Sequence, residues 1–244
     1  ILIEFSSKFK MYSFDQQIPL FPASFTKENI NAIDFSSQHI IAIASGNTVT
    51  LSYVKDFQLH QGYSFIAGDH PITALRFDKT NQFLIIGNCR NSIFLYNYHT
   101  RNFISKPHSR NSNLYIQQIE LYENGFIVFY KTGQLTFYTL FEKKNSPTLL
   151  LNCCWETKIP EQMTHFTLDP FRTDRMFLYS QNSSYFQVYL IKEVHKPPKP
   201  ISGPMEITNE RIQSAKFSIH LKDYLYFITE NSVMLYNVDL QVII

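Results

Sequence analysis

Short runs of apolar residues, each bounded by a polar break, recur along the chain and predict β-strands. The clearest three runs lie at Ile72–Phe77, Phe83–Gly87 and Ser92–Tyr96. Polar stretches at Asp78–Gln82 and Asn88–Asn91 separate these runs. Each run is too short for a typical helix and is rich in Ile, Phe and Leu, which favours a pleated, half-buried surface. This stretch therefore predicts three short strands.

The same three-strand pattern recurs at a regular spacing. Predicted first strands begin at residues 30, 72, 116, 163 and 212, in steps of 42, 44, 47 and 49 residues. A closing aromatic residue ends the third strand at positions 12, 53, 96, 138, 189 and 236, although Ser52 and Tyr53 both fit the second of these. The chain is therefore a repeat protein with a period of somewhat more than 40 residues.

The repeat that begins at Ile72 resembles a WD repeat, which forms one four-stranded blade of a β-propeller. Gly68, Asp69 and His70 stand where such repeats have their GH-type start, and Tyr96–Asn97 stands at the WD-type end. WD repeats have a period of about 40–45 residues. Kelch repeats, at about 50 residues, usually carry a di-glycine that the 7 Gly of the chain cannot supply in each repeat. The resemblance implies an all-β, WD-repeat-like β-propeller.

We expect residues 1–244 to form one propeller domain with about six visible blades. Their approximate bounds are 1–28, 29–69, 70–113, 114–160, 161–209 and 210–244. Five of these are complete, and the first lacks its innermost strand. The chain does not begin with Met, so we expect it to be a segment of a longer protein. The missing strand would then lie before Ile1 or after Ile244, and a seventh blade outside the segment stays open.

The repeats depart from the WD pattern at its most typical positions. None ends in Trp-Asp, and Arg90 and Glu230 stand in the hairpin turn where an Asp is usual. The buried Asp–His–Ser/Thr–Trp network that many WD repeats share is therefore expected to be absent around His70. Core packing must then hold the blades together. The Pro-rich loop Lys192–Pro204 is expected to project as an extended, polyproline-like excursion.

Composition narrows the function and the compartment. The net charge is +2, so we expect no nucleic-acid binding and only weak or indirect membrane association. The 3 Cys are an odd number, which argues against a disulfide framework and favours the cytoplasm. Neither a secretory signal nor an apolar stretch of membrane-spanning length is visible in the sequence.

Motifs that carry chemistry are weak. Adjacent Cys153 and Cys154 would point to opposite faces of a strand, which is poor geometry for binding one metal ion. The sequence has no nucleophile elbow, phosphate loop or dinucleotide fingerprint. Phe171–Arg172 partly matches the Phe-Arg-Arg-Gly motif of phosphoinositide-binding propellers, but Thr173 and Asp174 follow, so a turn is the preferred interpretation. We therefore expect no catalytic, metal or cofactor-binding residues and no small-molecule substrate.

The leading hypothesis is a non-enzymatic protein-interaction scaffold within a larger protein of trafficking, ciliary or complex-assembly type. By resemblance to WD-like blades, other proteins would bind the loops that lead into the innermost strands. The candidates are Lys27, Glu28, Asp69, His70, Tyr115, Gln162, Glu210 and Arg211. A phosphoinositide-binding propeller with a basic rim pocket is the alternative. A hydrolytic propeller with acids or histidines converging on the central channel is a further one.

Overall fold

The computed structural model describes residues 30–55, 58–104, 114–142, 149–201, 203–207 and 210–243, and every regular element in these ranges is a β-strand. The strands form five antiparallel sheets. We name the sheets blades 2 to 6 after the predicted repeats. The predicted first blade, residues 1–28, lies outside the described residues.

Each blade is built in chain order. Blade 2 contains β1 (Ala32–Phe35), β2 (Ile40–Ser45), β3 (Thr48–Lys55) and β4 (Gln58–Ile66). Blade 3 contains β5 (Ile72–Phe77), β6 (Phe83–Asn88), β7 (Ile93–Asn97) and β8 (Asn102–Phe103). Blade 4 contains β9 (Ile116–Tyr122), β10 (Gly125–Tyr130), β11 (Gln134–Glu142) and β12 (Leu149–Lys158).

Blades 5 and 6 continue the pattern. Blade 5 contains β13 (His165–Leu168), β14 (Arg175–Tyr179), β15 (Tyr185–Leu190), β16 (Lys199–Pro200) and β17 (Met205–Glu206). Blade 6 contains β18 (Ile212–Phe217), β19 (Tyr224–Thr229), β20 (Val233–Asn237) and β21 (Val242–Ile243).

The first strand of each blade lies on the inner side of the molecule. Consecutive first strands contact one another, β1 with β5, β5 with β9, β9 with β13 and β13 with β18. Within each sheet the later strands follow outward in chain order, except that β16 and β17 of blade 5 both pair with β15. Sheets that converge through their first strands and radiate outward are the blades of a propeller, which is the fold that the repeats predict.

The hydrophobic core is divided into four clusters, one between each pair of neighbouring blades. Because the middle strands of blades 3, 4 and 5 have a neighbouring blade on both faces, nearly continuous apolar runs are needed there. Every residue of β6, β10 and β14 is accordingly buried. Aromatic contacts dominate between blades 5 and 6, where the ring centroids of Phe177 and Phe227 are 5.3 Å apart.

Blade 6 packs on blade 5 through one face, and none of the other described blades adds to that core cluster or covers the second face. Its middle strand alternates, with Leu225 and Phe227 fully buried. Tyr226 and Ile228 point to the other side and are 38% and 49% exposed, and Val233 beside them is 69% exposed. The face of blade 6 that is turned away from blade 5 is therefore apolar and exposed.

Asparagine side chains close turns where the WD pattern is lost. The side-chain oxygen of Asn88 accepts hydrogen bonds from the N–H groups of Arg90 and Ser92, both at 2.9 Å. Asn97 Oδ1 accepts from the N–H groups of His99 and Thr100. Asn237 Oδ1 accepts in the same way from the second and third residues after it. These local caps hold the hairpins that a conserved network would otherwise organise.

Strand register decides between the two closing positions that the sequence left open in blade 2. Register shows that Ser52, opposite Ile41, occupies the position that Tyr96 has opposite Leu84, so Tyr53 is not a closing aromatic residue.

The loop at Lys192–Pro204 does not project as an extended excursion. Lys199–Pro200 returns as β16 and pairs with β15. The indole N–H of Trp155 donates to the carbonyl of Val194 at 3.0 Å, and Pro198 is buried. An aromatic hydrogen bond and apolar contacts therefore tie this loop to the blades.

Candidate protein-binding faces and the central charge network

One end of the blades carries the loops that lead into the first strands, and we call it the lead-in face. The hairpins between second and third strands lie at the same end, because strands alternate in direction. Backbone hydrogen bonds join the two sets of loops. The N–H of Lys131 donates to the carbonyl of Tyr115 at 2.9 Å, and that of Asn182 donates to Ile212 at 2.8 Å. The backbone of this face is thus held in place.

The predicted binding residues that the structure describes lie along the lead-in face. The other two predicted residues, Lys27 and Glu28, lie outside the described ranges. The predicted side chains that are exposed on this face are Asp69, His70, Tyr115, Gln162 and Arg211. Their positions at the same end of successive blades follow from the topology, and their role in binding stays a prediction.

Glu210 is tied to the neighbouring hairpin. Its carboxylate accepts hydrogen bonds from the hydroxyl groups of Thr229 and Ser232. Tyr115, at 40% exposure, is flanked by the ammonium group of Lys131, 5.8 Å from the ring centroid. Glu210 therefore has a structural contact that the sequence did not indicate, whereas Tyr115 offers an exposed ring.

A chain of alternating charges crosses the inner strands, and we call it the central charge network. Arg76 Nη1 lies 3.2 Å from Asp34 Oδ1, and Arg76 Nη2 lies 2.7 Å from Glu120 Oε2. Lys216 Nζ lies 3.3 Å from Glu120 Oε1. These four residues come from the first strands of blades 2, 3, 4 and 6, so the last pair reaches past blade 5.

Burial shapes the protonation of this region. The side chains of Asp34 and Glu120 are only 12% and 10% exposed. Burial raises the pKa of Asp34, although Arg76 and the N–H of Phe77 oppose the shift. Burial, together with the positive charge of Lys216, lowers the pKa of His165 on the first strand of blade 5.

The network contains the kind of acids that a hydrolytic propeller would need, but each acid faces a cation. Asp34 is held by Arg76, and Glu120 lies between Arg76 and Lys216. Both carboxylates are held in ion pairs whose cations come from other blades. The arrangement therefore favours a structural linkage between blades. A cleft of about 240 Å³ adjoins Asp34 and Arg76.

The partial phosphoinositide motif lies on the opposite end of blade 5, in the turn between β13 and β14. Arg172 Nε is 3.2 Å from Asp174 Oδ1, and its Nη1 is 3.6 Å from Asp239 Oδ1. Both partners are carboxylates, so this arginine is already engaged.

Beside Arg172, the fully buried Arg175 is bound by three carboxylates. Asp169 and Asp223 come from the first turns of blades 5 and 6, and Asp239 comes from the last turn of blade 6. With Asp174, four carboxylates surround two guanidinium groups. Because the local charge is negative, this turn opposes the binding of a phosphate headgroup, and the structure gives no support to a lipid site here.

The two adjacent cysteines point to opposite faces of β12, as the strand geometry predicts. Cys153 packs on the core between blades 3 and 4, whereas Cys154 packs on the core between blades 4 and 5. Within the described ranges, no group of three or more His, Cys, Asp or Glu side chains is placed to hold a metal ion. The same part of the chain contains no helix of the length and apolarity needed to cross a membrane.

Sequence reasoning missed the central charge network. Its members belong to different repeats and are far apart in the chain. The sequence does contain one signal for the network, which is a shared position in the repeats. A charged residue stands directly before a Phe that is followed by a Ser or Asp at the first turn, as at Asp34, Arg76 and Lys216. Superposing the repeats on that turn would have placed these three residues at one level.

Comparison with known proteins agrees with this architecture. No family model matches the chain, and no curated protein matches it by sequence. The β-propeller domain of Cps50 (Swd1) from Myceliophteria thermophila is similar with a TM-score of 0.69 at 12% identity, over 86% of this chain and 69% of that one. A protein from Lactobacillus plantarum is similar with a TM-score of 0.66 at 11% identity, over 86% of this chain and 67% of that one.

A chain in the mitotic checkpoint complex is also similar, with a TM-score of 0.68 at 8% identity, over 100% of this chain and 73% of that one. At such low identities these likenesses show the fold alone, and a fold of this kind serves many functions. Taken with the five radiating sheets and the repeat spacing, they lead to one conclusion. The chain folds as a β-propeller.

Proposed function

We propose that this chain is a non-enzymatic scaffold that binds other proteins through its lead-in face. The observation that carries the proposal is that the lead-in loops have a hydrogen-bonded backbone and exposed side chains. Loops that are hydrogen-bonded to neighbouring hairpins present Asp69, His70, Tyr115 and Arg211 to solvent. A surface that is already ordered loses little entropy on binding, which favours affinity.

The mixed character of this face also supports a protein partner. Acidic, basic, aromatic and amide side chains alternate from blade to blade, whereas a nucleic-acid surface would be dominated by Lys and Arg. Two of the similar structures are compatible with such a role, since one is a chain of the mitotic checkpoint complex and the other is the propeller domain of Swd1. We propose complex assembly in the cytoplasm as the setting.

The test is affinity purification of the full-length protein with mass spectrometry, using two variants. The lead-in variant carries His70→Ala, Tyr115→Ala and Arg211→Glu. The control carries His220→Ala and Leu221→Ala, which are exposed in the first turn of blade 6 at the opposite end.

We expect a stable partner with the wild type and with the control, and its loss with the lead-in variant. Recovery of no stable partner by the wild type would overturn the scaffold proposal. Equal recovery by both variants would show that the lead-in face is not the binding surface. Matching melting temperatures of the two variants exclude misfolding as the cause.

A further inference from the structure

We propose that the outer edge of blade 2, strand β4, binds an extended acidic peptide by β-strand addition. This inference rests on the proposed scaffold role and assigns it a second surface, separate from the lead-in face. It names the chemistry of the partner segment, an extended chain with acidic and apolar side chains on one side.

The first observation is the length and composition of this edge. β4 spans nine residues, and among the described strands it pairs only with β3. The outer strands of blades 3, 5 and 6 have two residues each. The long outer strand of blade 4 carries Glu156 and Lys158, whereas β4 contains neither a charged residue nor a proline. Charge and proline are the usual protections of a sheet edge, and β4 lacks both.

The second observation is that backbone groups of β4 point outward. The N–H of Ala67 donates to the carbonyl of Asn47 at 2.9 Å. In an antiparallel pair the hydrogen-bonded positions alternate, so the N–H of Phe65 points to β3. The N–H groups of Ser64 and Ile66 then point away from the blade. The register shifts between Gln61 and Tyr63, nearer the start of β4, and the pairing from Tyr63 to Ile66 is regular.

The third observation is an apolar floor beside the edge. Phe65 stacks on Tyr96 of blade 3 with ring centroids 3.7 Å apart, and the hydroxyl of Tyr63 donates to the carbonyl of Tyr98 at 2.8 Å. Phe103, whose ring centroid is 6.1 Å from that of Phe65, is 44% exposed. A strand added to β4 would place side chains of one face over this ring.

The fourth observation gives the charge of the partner. The guanidinium carbon of Arg101 lies 4.5 Å from the ring centroid of Tyr63, so the cation is held beside the edge. Arg101 is exposed, and no carboxylate of the described residues lies within ion-pair distance of it. An acidic side chain on the added strand would complete this pair, and backbone hydrogen bonds would supply the rest of the affinity.

The test uses a fluorescently labelled peptide of the same length as β4, in which valine and glutamate take turns at every second position and threonine fills the positions between them, so that valine and glutamate share one side of the extended strand. Its control replaces glutamate with lysine. Fluorescence anisotropy measures binding to the wild type, to Ile66→Pro, which removes one outward N–H, and to Arg101→Glu. Hydrogen exchange measured by NMR reports the protection of the Ser64 and Ile66 amides.

We expect the glutamate peptide to bind and to slow exchange at both amides. Each variant should weaken binding by about tenfold or more, and Arg101→Glu should shift preference to the lysine peptide. Arg101→Glu leaves the backbone unchanged, so it remains informative if Ile66→Pro unfolds the blade.

The proposal is overturned if the glutamate peptide does not bind, if both peptides bind equally, or if Arg101→Glu has no effect. A concentration-dependent dimer that Ile66→Pro abolishes would assign the edge to a second copy instead. The lead-in variant should leave peptide binding unchanged, and Arg101→Glu should leave capture at the lead-in face unchanged. Failure of one proposal is therefore distinguishable from failure of the other.

Discussion

Replacing Arg175 with Met should destabilise the protein more than any exposed charge substitution. The side chain of Arg175 is 2% exposed, and the side chain of its partner Asp169 is completely buried. Arg175 Nε donates to Asp169 Oδ2 at 2.8 Å. Removing the cation leaves a buried carboxylate without its ion pair, which typically costs about 3–5 kcal/mol.

Arg172→Met is the matched control in the same turn. Its ion pairs with Asp174 and Asp239 are about half exposed, so their loss should cost less than about 1 kcal/mol. The double variant Asp169→Asn/Arg175→Met removes both buried charges and keeps an oxygen that caps Phe171. It should recover much of the stability that Arg175→Met loses.

Urea denaturation followed by far-UV circular dichroism measures these differences. With an m-value of about 3 kcal/mol/M, the expected loss for Arg175→Met lowers the midpoint by about 1–2 M. A midpoint as high as that of Arg172→Met would refute the reasoning. So would a double variant no more stable than Arg175→Met alone, because the cost would then not come from the unpaired carboxylate.

Three further predictions concern packing and pH. Gly125→Ala should lower the free energy of unfolding by about 3 kcal/mol or more in thermal melts, because the new Cβ would lie 1.9 Å from the carbonyl oxygen of Tyr138. Gly203→Ala is the control and should be neutral, because no atom of the described residues, its chain neighbours aside, lies within 4 Å of the added Cβ. Equal effects of the two substitutions would contradict the packing. The folded pKa of His165 lies below that of the unfolded chain, so the unfolded state binds the proton first and stability falls as pH drops through 6.5. His165→Gln should lose less stability than the wild type between pH 7 and pH 5. Urea titrations that give both proteins the same change of stability with pH would contradict this prediction. The folded pKa of Asp34 lies above its unfolded value of 3.8, so the folded protein keeps the proton to higher pH and its stability falls as pH rises through and above 3.8. The stability of Asp34→Asn relative to the wild type should therefore increase from pH 4 upward. A stability difference that stays constant with pH would count against this prediction.

The strands could be predicted because each blade buries alternate or continuous apolar runs, a pattern visible in any single repeat. The run at Ile72–Phe77 coincides with β5, and the run at Phe83–Gly87 lies within β6. The closing position of blade 2 could not be assigned, because Ser52 replaces an aromatic residue and only strand register separates it from Tyr53. Contacts between distant repeats, such as Lys216 with Glu120, depend on how the blades are arranged and leave little local signal.

For the lead-in residues, the sequence likewise predicts their position but not their side-chain contacts. Their place at one end of the blades follows from strand alternation, which repeat spacing predicts. The engagement of Glu210 by Thr229 and Ser232 depends on side-chain geometry in a hairpin 19 to 22 residues away. The cation of Arg101 over Tyr63 joins two blades and is likewise invisible in a single repeat.

A crystal structure of the protein tests the central claim most directly, because the claim concerns how the sheets are arranged. We expect the first strands of five sheets to converge on one axis, with Lys216 ion-paired to Glu120 past blade 5. Two flat sheets stacked as a sandwich, or a wide separation of Lys216 from Glu120, would contradict the account.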